Sequence, residues 1–329
     1  MTLSPVSPPR RRRIRTAVAA LVTAAALSAS APAIADGGPA APSSDSRSAA
    51  GKPTVVIVHG AFADASSWSG VVGRLQSDGY RVIAAANPLR GLPTDSAYIA
   101  GLLRSVKGPV VLVGHSYGGA VITEAATGNP NVKALVYVAA FMPDKGEVLG
   151  QLAARFPGSD LDPALVKVPF KNADGTTGTD LYISPDRFRA VAAEDLPPAA
   201  AAVAAATQRP LAASSFTDRA TSAAWRTIPS WVAVAIHDKA IPPGLERFQA
   251  KRAGSHTIEI DGSHVVMISH PGPIADLIRD AARTQSPRPA LAETGLSTLG
   301  LVGTAAAGGM LIAGAVLLAV TRKRSTDTQ

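Results

Sequence analysis

Val110-Val111-Leu112-Val113-Gly114-His115-Ser116-Tyr117-Gly118-Gly119 decides how the rest of this chain is read. Four apolar, mostly β-branched residues run into a G-x-S-x-G pattern, and Ala120-Val121-Ile122-Thr123-Glu124-Ala125-Ala126 continues at helical spacing. The pattern predicts a buried strand, a sharp turn and a helix, with Ser116 at the bend. Its hydroxyl projects from such a turn only if the backbone is strained there. Gly114 and Gly118 carry no Cβ, so strand and helix can approach closely. The helix start also aims backbone N–H groups at the place where an oxyanion would form.

Outward from this stretch the chain alternates strand and helix. Upstream, Thr54–Val58 reads as a buried strand ending in His59-Gly60-Ala61-Phe62. Ser67 to Gly79 has helical spacing, Arg81–Ala85 is a second strand, and Thr94 is placed to cap a helix through Leu103 and Val106. Downstream come a strand at Val132–Val138, another at Ser230–Ile236, a helix from Pro242 to Lys251, a strand at His256–Ile260 and a helix from Pro273 to Ala282. Such alternation predicts an α/β fold with a mostly parallel sheet covered by helices on both faces. The rhythm breaks over about 142–227, where Val166–Ile183 forms a hairpin pattern around Asp174-Gly175 and Ser184-Pro185 opens an alanine-rich helical stretch. The α/β pattern resumes afterwards, so this region reads as an inserted cap.

The net charge of +8 points toward nucleic acid until the charges are located. Five arginines lie between Arg10 and Arg15, and Arg322-Lys323-Arg324 sit near the end, while residues 36–294 carry 24 basic and 23 acidic side chains. That balance argues against a nucleic-acid partner. The chain has no cysteine, which excludes disulfides, thiolate metal sites and a cysteine nucleophile. Neither an H-E-x-x-H pattern nor a dinucleotide-binding glycine pattern occurs, so no metal and no nicotinamide cofactor are expected.

A serine becomes a useful nucleophile when a base takes its proton and an acid orients that base. In parallel sheets the functional loops follow the carboxyl ends of the strands. Asp238 follows the strand ending at Ile236, and His264 follows the strand ending at Ile260. His270 is the second candidate for the base. Asp144, in Phe141-Met142-Pro143-Asp144, is the rival for the acid because it follows the strand after the nucleophile. The backbone N–H groups of Ala61 and Tyr117 are the expected oxyanion donors.

Residues 53–282 resemble the α/β-hydrolase superfamily, and most closely its small-ester branch, which includes plant methylesterases and hydroxynitrile lyases. The segments that carry the likeness are VVIVHGAFADASSW, VVLVGHSYGG, ALVYVAAFMPD, HDKAIPP and IEIDGSHVVMISHP. The resemblance implies Ser116 as nucleophile, Asp238 as acid, His264 as base and the amides of Ala61 and Tyr117 as the oxyanion hole. It implies a serine hydrolase cleaving small carboxylic esters through an acyl-enzyme, with no cofactor. Nothing strand-like precedes Thr54, so about six strands are expected. Two other readings stay open: lyase or perhydrolase chemistry on the same triad, and a surface protein that only binds a ligand.

The ends carry addresses. Residues 1–35 read as a signal peptide, with an arginine cluster, an apolar run from Ala17 and Ala33-Ile34-Ala35 before Asp36. Residues 36–51 form a leader, 52–283 the hydrolase domain and 284–290 a proline-containing spacer. In 291–329, Leu291-Ala292-Glu293-Thr294-Gly295 is similar to a sortase sorting signal of the L-A-x-T-G type, ahead of the uncharged run Leu296–Val320 and the basic tail. The run is long enough to span a bilayer and the tail suits its cytoplasmic end. The order implies export, transient membrane insertion, a sortase partner and attachment to the cell wall, with a single-pass membrane protein as the alternative.

Overall fold

The computed structural model describes residues 51–284. The signal-peptide, leader, spacer and sorting-signal readings fall outside these residues, apart from Gly51 and Thr284. No helix among the described residues is long and apolar enough to cross a membrane.

The body opens with β1 (Thr54–Val58), α1 (Ser69–Ser77), β2 (Val82–Ala85), α2 (Leu92–Ser105), β3 (Val110–Ser116), α3 (Tyr117–Ala125) and β4 (Val132–Ala140). The segment between β4 and the next body strand holds α4 (Leu149–Ala154), β5 (Leu165–Lys171), β6 (Thr177–Ile183), α5 (Pro185–Ala192), α6 (Pro198–Thr207) and β7 (Leu211–Ala212). The body resumes with β8 (Ser230–Ala235), α7 (Pro243–Ala253), β9 (His256–Ile260), α8 (Val266–Ser269) and α9 (Pro271–Arg283).

Six strands form one sheet in the order β2-β1-β3-β4-β8-β9, and every pairing in it is parallel. Val55–Val58 and Val110–Val113 are fully buried, as continuous apolar strands covered on both faces should be. The chain begins in the sheet at β1, steps outward to β2, then crosses back to β3 on the other side. Loops leaving β1 and β3 therefore diverge, opening the crevice where ligands bind in such sheets. The cap carries its own small antiparallel sheet, β5-β6-β7, with β5 and β6 in register from Leu165 opposite Ile183 to Lys171 opposite Thr177.

Most element ends differ from the sequence expectations by one or two residues, and the starts of three helices are the instructive cases. Asp64 caps the first helical segment by accepting the Ser66 N–H at 2.7 Å, which opens a short 3-10 turn at Ala65–Trp68 ahead of α1. α2 starts at Leu92 rather than Thr94, because Asp218 from the cap accepts the Leu92 N–H at 2.8 Å. The donor and acceptor lie far apart in sequence, so local capping rules miss the pair. α9 starts at Pro271. The strand β7 was also not anticipated, since two residues hold no readable period.

Candidate active site

Ser116 ends β3 with φ 54° and ψ −126°, a strained conformation for a residue with a Cβ, and α3 begins at the next residue. Both elbow glycines are required by contact. A Cβ on Gly114 would lie 2.6 Å from the Gly118 carbonyl oxygen, and one on Gly118 would lie 2.5 Å from that of Val58.

The loops after β8 and β9 bring Asp238 and His264 to this turn. His264 Nε2 lies 2.9 Å from Ser116 Oγ, and His264 Nδ1 lies 2.6 Å from Asp238 Oδ2. The three residues are 7%, 5% and 3% exposed in the order Ser116, His264, Asp238. Asp238 Oδ1 accepts the N–H groups of Ala240 at 2.7 Å and Ile241 at 2.8 Å, which fixes the carboxylate plane. The chain of contacts can draw a proton from the serine to the imidazole and stabilise the resulting imidazolium.

Neither rival residue reaches this chain. Asp144 pairs with Arg226 at the root of the cap, and that guanidinium holds its carboxyl below the usual range. His270 lies beside Ser269, 2.9 Å away, and 3.8 Å from Asp195. Of the remaining histidines, His237 contacts Asp261 and His256 stacks on Trp231.

His59 and His115 brace the site. His59 Nε2 accepts the Asn87 N–H at 2.9 Å and its Nδ1 lies 2.9 Å from the Gly60 carbonyl, so the ring is neutral with its proton on Nδ1. Burial lowers its pKa and favours that state. His115 Nε2 donates to the His264 carbonyl at 3.0 Å, tying the elbow to the loop that carries the histidine. Burial, followed by the field of His264, pushes the His115 pKa well down. The Tyr117 hydroxyl donates to Asp95 Oδ2 at 2.7 Å, and burial raises the pKa of both groups.

A cap residue clamps the histidine loop. Asp195 accepts the Ser263 N–H at 3.1 Å and also pairs with the Ser263 hydroxyl. On the other side of His264, the Val265 N–H donates to the Ala192 carbonyl at 3.0 Å. Sequence reasoning missed Asp195, which stands 68 residues from its partner and carries no motif.

Ala61 and Tyr117 line a chamber of about 20 Å³ at the serine, room for about one water. Phe141, Leu161, Phe216 and Ala240 are shared between this chamber and a cavity of about 600 Å³ under the cap. Phe62, Ala63, Phe188 and Val265 are shared with a third cavity, of about 260 Å³.

The profile of the Alpha/beta hydrolase family matches residues 55–277. The chain belongs to that family. It is 34% identical over 107 residues to a carbendazim hydrolyzing esterase of Nocardioides sp. (strain SG-4G), a match covering 29% of this chain and 44% of that protein. It is 27% identical over 245 residues to an alpha-hydroxynitrile lyase of Arabidopsis thaliana, covering 67% of this chain and 93% of the relative. The crystal structure of polyneuridine aldehyde esterase superposes with a TM-score of 0.61 at 20% identity, covering 70% of this chain and 99% of that one. The sheet of six parallel strands expected from the sequence is therefore the hydrolase sheet.

Proposed function

We propose that the protein is a serine hydrolase of small carboxylic esters, with Ser116, His264 and Asp238 as its catalytic residues. The observation that carries this reading is the unbroken contact chain from Asp238 through His264 to a strained Ser116. The esterase activity named for the Nocardioides relative supports it. As Ser116 Oγ attacks the ester carbonyl, its proton moves to His264 Nε2 and the carbonyl electrons collect on oxygen. The amides of Ala61 and Tyr117, at the chamber wall beside Ser116, receive that oxyanion. Collapse of the intermediate expels the alcohol, which takes the proton from His264. Water then attacks the acyl-enzyme, again losing a proton to His264, and the acid leaves as Ser116 recovers its hydrogen.

The chamber at Ser116 is small and the larger cavity beside it mixes apolar side chains with Ser159, Asp162 and Lys167, so we expect acetate to hexanoate esters and small aromatic esters, reaching partly into that cavity, rather than long lipids. The test is turnover of a p-nitrophenyl ester series by the purified protein, with Ser116→Ala as control. Wild-type turnover that falls from butyrate to palmitate, and vanishes in the variant, supports the reading. Equal activity in the variant overturns it. Lyase chemistry is the second reading, favoured by the Arabidopsis relative, and cyanide release from an aromatic hydroxynitrile without ester turnover would select it.

The working location we propose is the cell wall. Export by residues 1–35, arrest at Leu296–Val320 and sortase cleavage between Thr294 and Gly295 would join Thr294 to the wall. Wild-type protein released by wall-digesting enzymes, with Thr294→Ala left in the membrane, is the expected result. Complete detergent extraction of both would leave a plain membrane anchor.

A further inference from the structure

The proposed mechanism uses one buried carboxylate, Asp238, and leaves a second one idle. Glu246, in the first turns of α7, is 1% exposed. Its Oε2 is 3.4 Å from the Ala235 N–H of β8, while its Oε1 is buried with no hydrogen-bond partner. Glu246 and Asp238 meet at the end of β8, where the Ala235 N–H faces Glu246 Oε2 and the Ala235 carbonyl accepts the Asp238 N–H at 3.1 Å. Two carboxylates have only acceptors to offer, so a buried carboxyl oxygen with no donor beside it is satisfied by carrying a proton of its own. Arg247, the neighbour on α7, favours the charged form of Glu246 only through its field, because its guanidinium is bidentate to Glu259 at 2.7 Å and 2.8 Å.

Asp238 has little use for that proton. Its oxygens already receive the amides of Ala240 and Ile241 and face His264 Nδ1. The unpartnered oxygen is on Glu246, and a hydroxyl there acquires Asp238 as its acceptor. The surroundings agree: burial first, then the charge of Asp238, raises the Glu246 pKa well above the carboxylate range.

We infer that Glu246 is a neutral carboxylic acid in the resting protein, whose Oε1–H donates to Asp238 and holds that carboxylate in line with His264. It is a positioning residue. Asp238 then receives a donor from behind as well as from the loop, and remains an ionised acceptor when His264 takes up the serine proton. The inference deepens the triad reading and rests on it for the role of Asp238, but the protonation state of Glu246 is measurable without any substrate.

The experiment compares wild type, Glu246→Gln and Glu246→Leu by infrared spectroscopy and by the rate of Ser116 labelling with a fluorophosphonate. Wild type should show a protonated-carboxyl C=O band at neutral pH that Glu246→Gln lacks. Glu246→Gln keeps a neutral donor, so its labelling rate and pH profile should match wild type within about twofold. Glu246→Leu keeps the volume and loses the donor, so labelling should slow by about tenfold or more from misalignment alone. Absence of the band at neutral pH overturns the inference. So does a Glu246→Gln profile whose acid limb moves to lower pH, because that would mean a negative charge had been removed beside the triad. Wild-type labelling by Glu246→Leu overturns the positioning role. Should Glu246→Leu fail to fold, the band and the Glu246→Gln profile still decide. Failure of the ester reading would appear instead as no fluorophosphonate labelling of wild type, with the infrared band unaffected.

Discussion

β3 and β5 are each seven residues long, yet every residue of β3 is buried and none of β5 is. β3 lies between β1 and β4 at the centre of the parallel sheet, and its last residue is the proposed nucleophile. β5 forms an edge of the small cap sheet and leaves Val166 and Val168 44% and 43% exposed. The body is held by non-local burial, so its strand ends are rigid enough to place reacting atoms. The cap reaches the site through a few side chains: Leu161 and Phe216 at the chamber wall, Asp195 on the histidine loop. On the proposed reading the body carries the chemistry, and the cap adjusts it and selects what enters.

Substitutions at five positions test that division, from the largest effect to the smallest. Ser116→Ala should reduce kcat on activated esters by roughly 10³–10⁶ without regard to acyl length. A loss confined to some chain lengths would break the division, because chemistry would then depend on the cap. Asp195→Ala releases the cap's hold on Ser263 and should lower kcat by about 10- to 100-fold through misplacement of His264. Asp195→Asn, which keeps an acceptor, should recover part of that. Full activity in Asp195→Ala would show that the body alone positions the histidine. Phe216→Ala opens the wall between the chamber and the 600 Å³ cavity. The ratio of octanoate to butyrate turnover should then rise by about tenfold, in keeping with the modest value of each methylene in an apolar pocket.

Glu147→Gln probes the root of the cap, where Arg252 binds both carboxylate oxygens at 2.8 Å. Burial works against the Glu147 charge, but the Arg252 hydrogen bonds prevail and its pKa lies below the ordinary 4.5. A depressed folded-state pKa stabilises the protein above the unfolded value, and the contribution is lost as pH falls through the folded value. Chemical denaturation should show the variant less stable by about 1–3 kcal/mol near neutral pH. The gap should close as the pH drops below the usual glutamate range. A gap that is constant with pH would mean the charge is irrelevant to the cap's attachment. Val168→Thr, on the exposed cap strand, should change stability by less than about 0.5 kcal/mol and leave turnover unaltered. A larger change in turnover would mean that the hairpin takes part in substrate choice.

Much of the body was legible because its elements announce themselves locally. Val110–Val113 followed by Gly114-His115-Ser116 states both a buried strand and its exit, and Asp238 and His264 stand just past strands of the same kind. Asp144 stood past a strand as well. What removes it is Arg226, which meets it from the far end of the cap and is invisible from the residues around either. The start of α2 fails for the same reason: its capping acceptor is Asp218, and Thr94 offers the nearer but unused alternative. In the cap, Asp174-Gly175 marks the hairpin turn, yet β7 is too short to read and pairs only because β6 is already in place.

The residues alone determined the alternation of strands and helices, the elbow at Ser116 and the residue types able to act with it, because each depends on periodicity or on chemistry within a few positions. Tertiary structure decided which acid faces His264, that Asp195 clamps the histidine loop, and that Glu246 stands buried beside Asp238. Those outcomes depend on which groups share a dry volume. In that volume an unmatched charge or an unpartnered polar atom costs several times what it does in water, and sequence distance does not measure it.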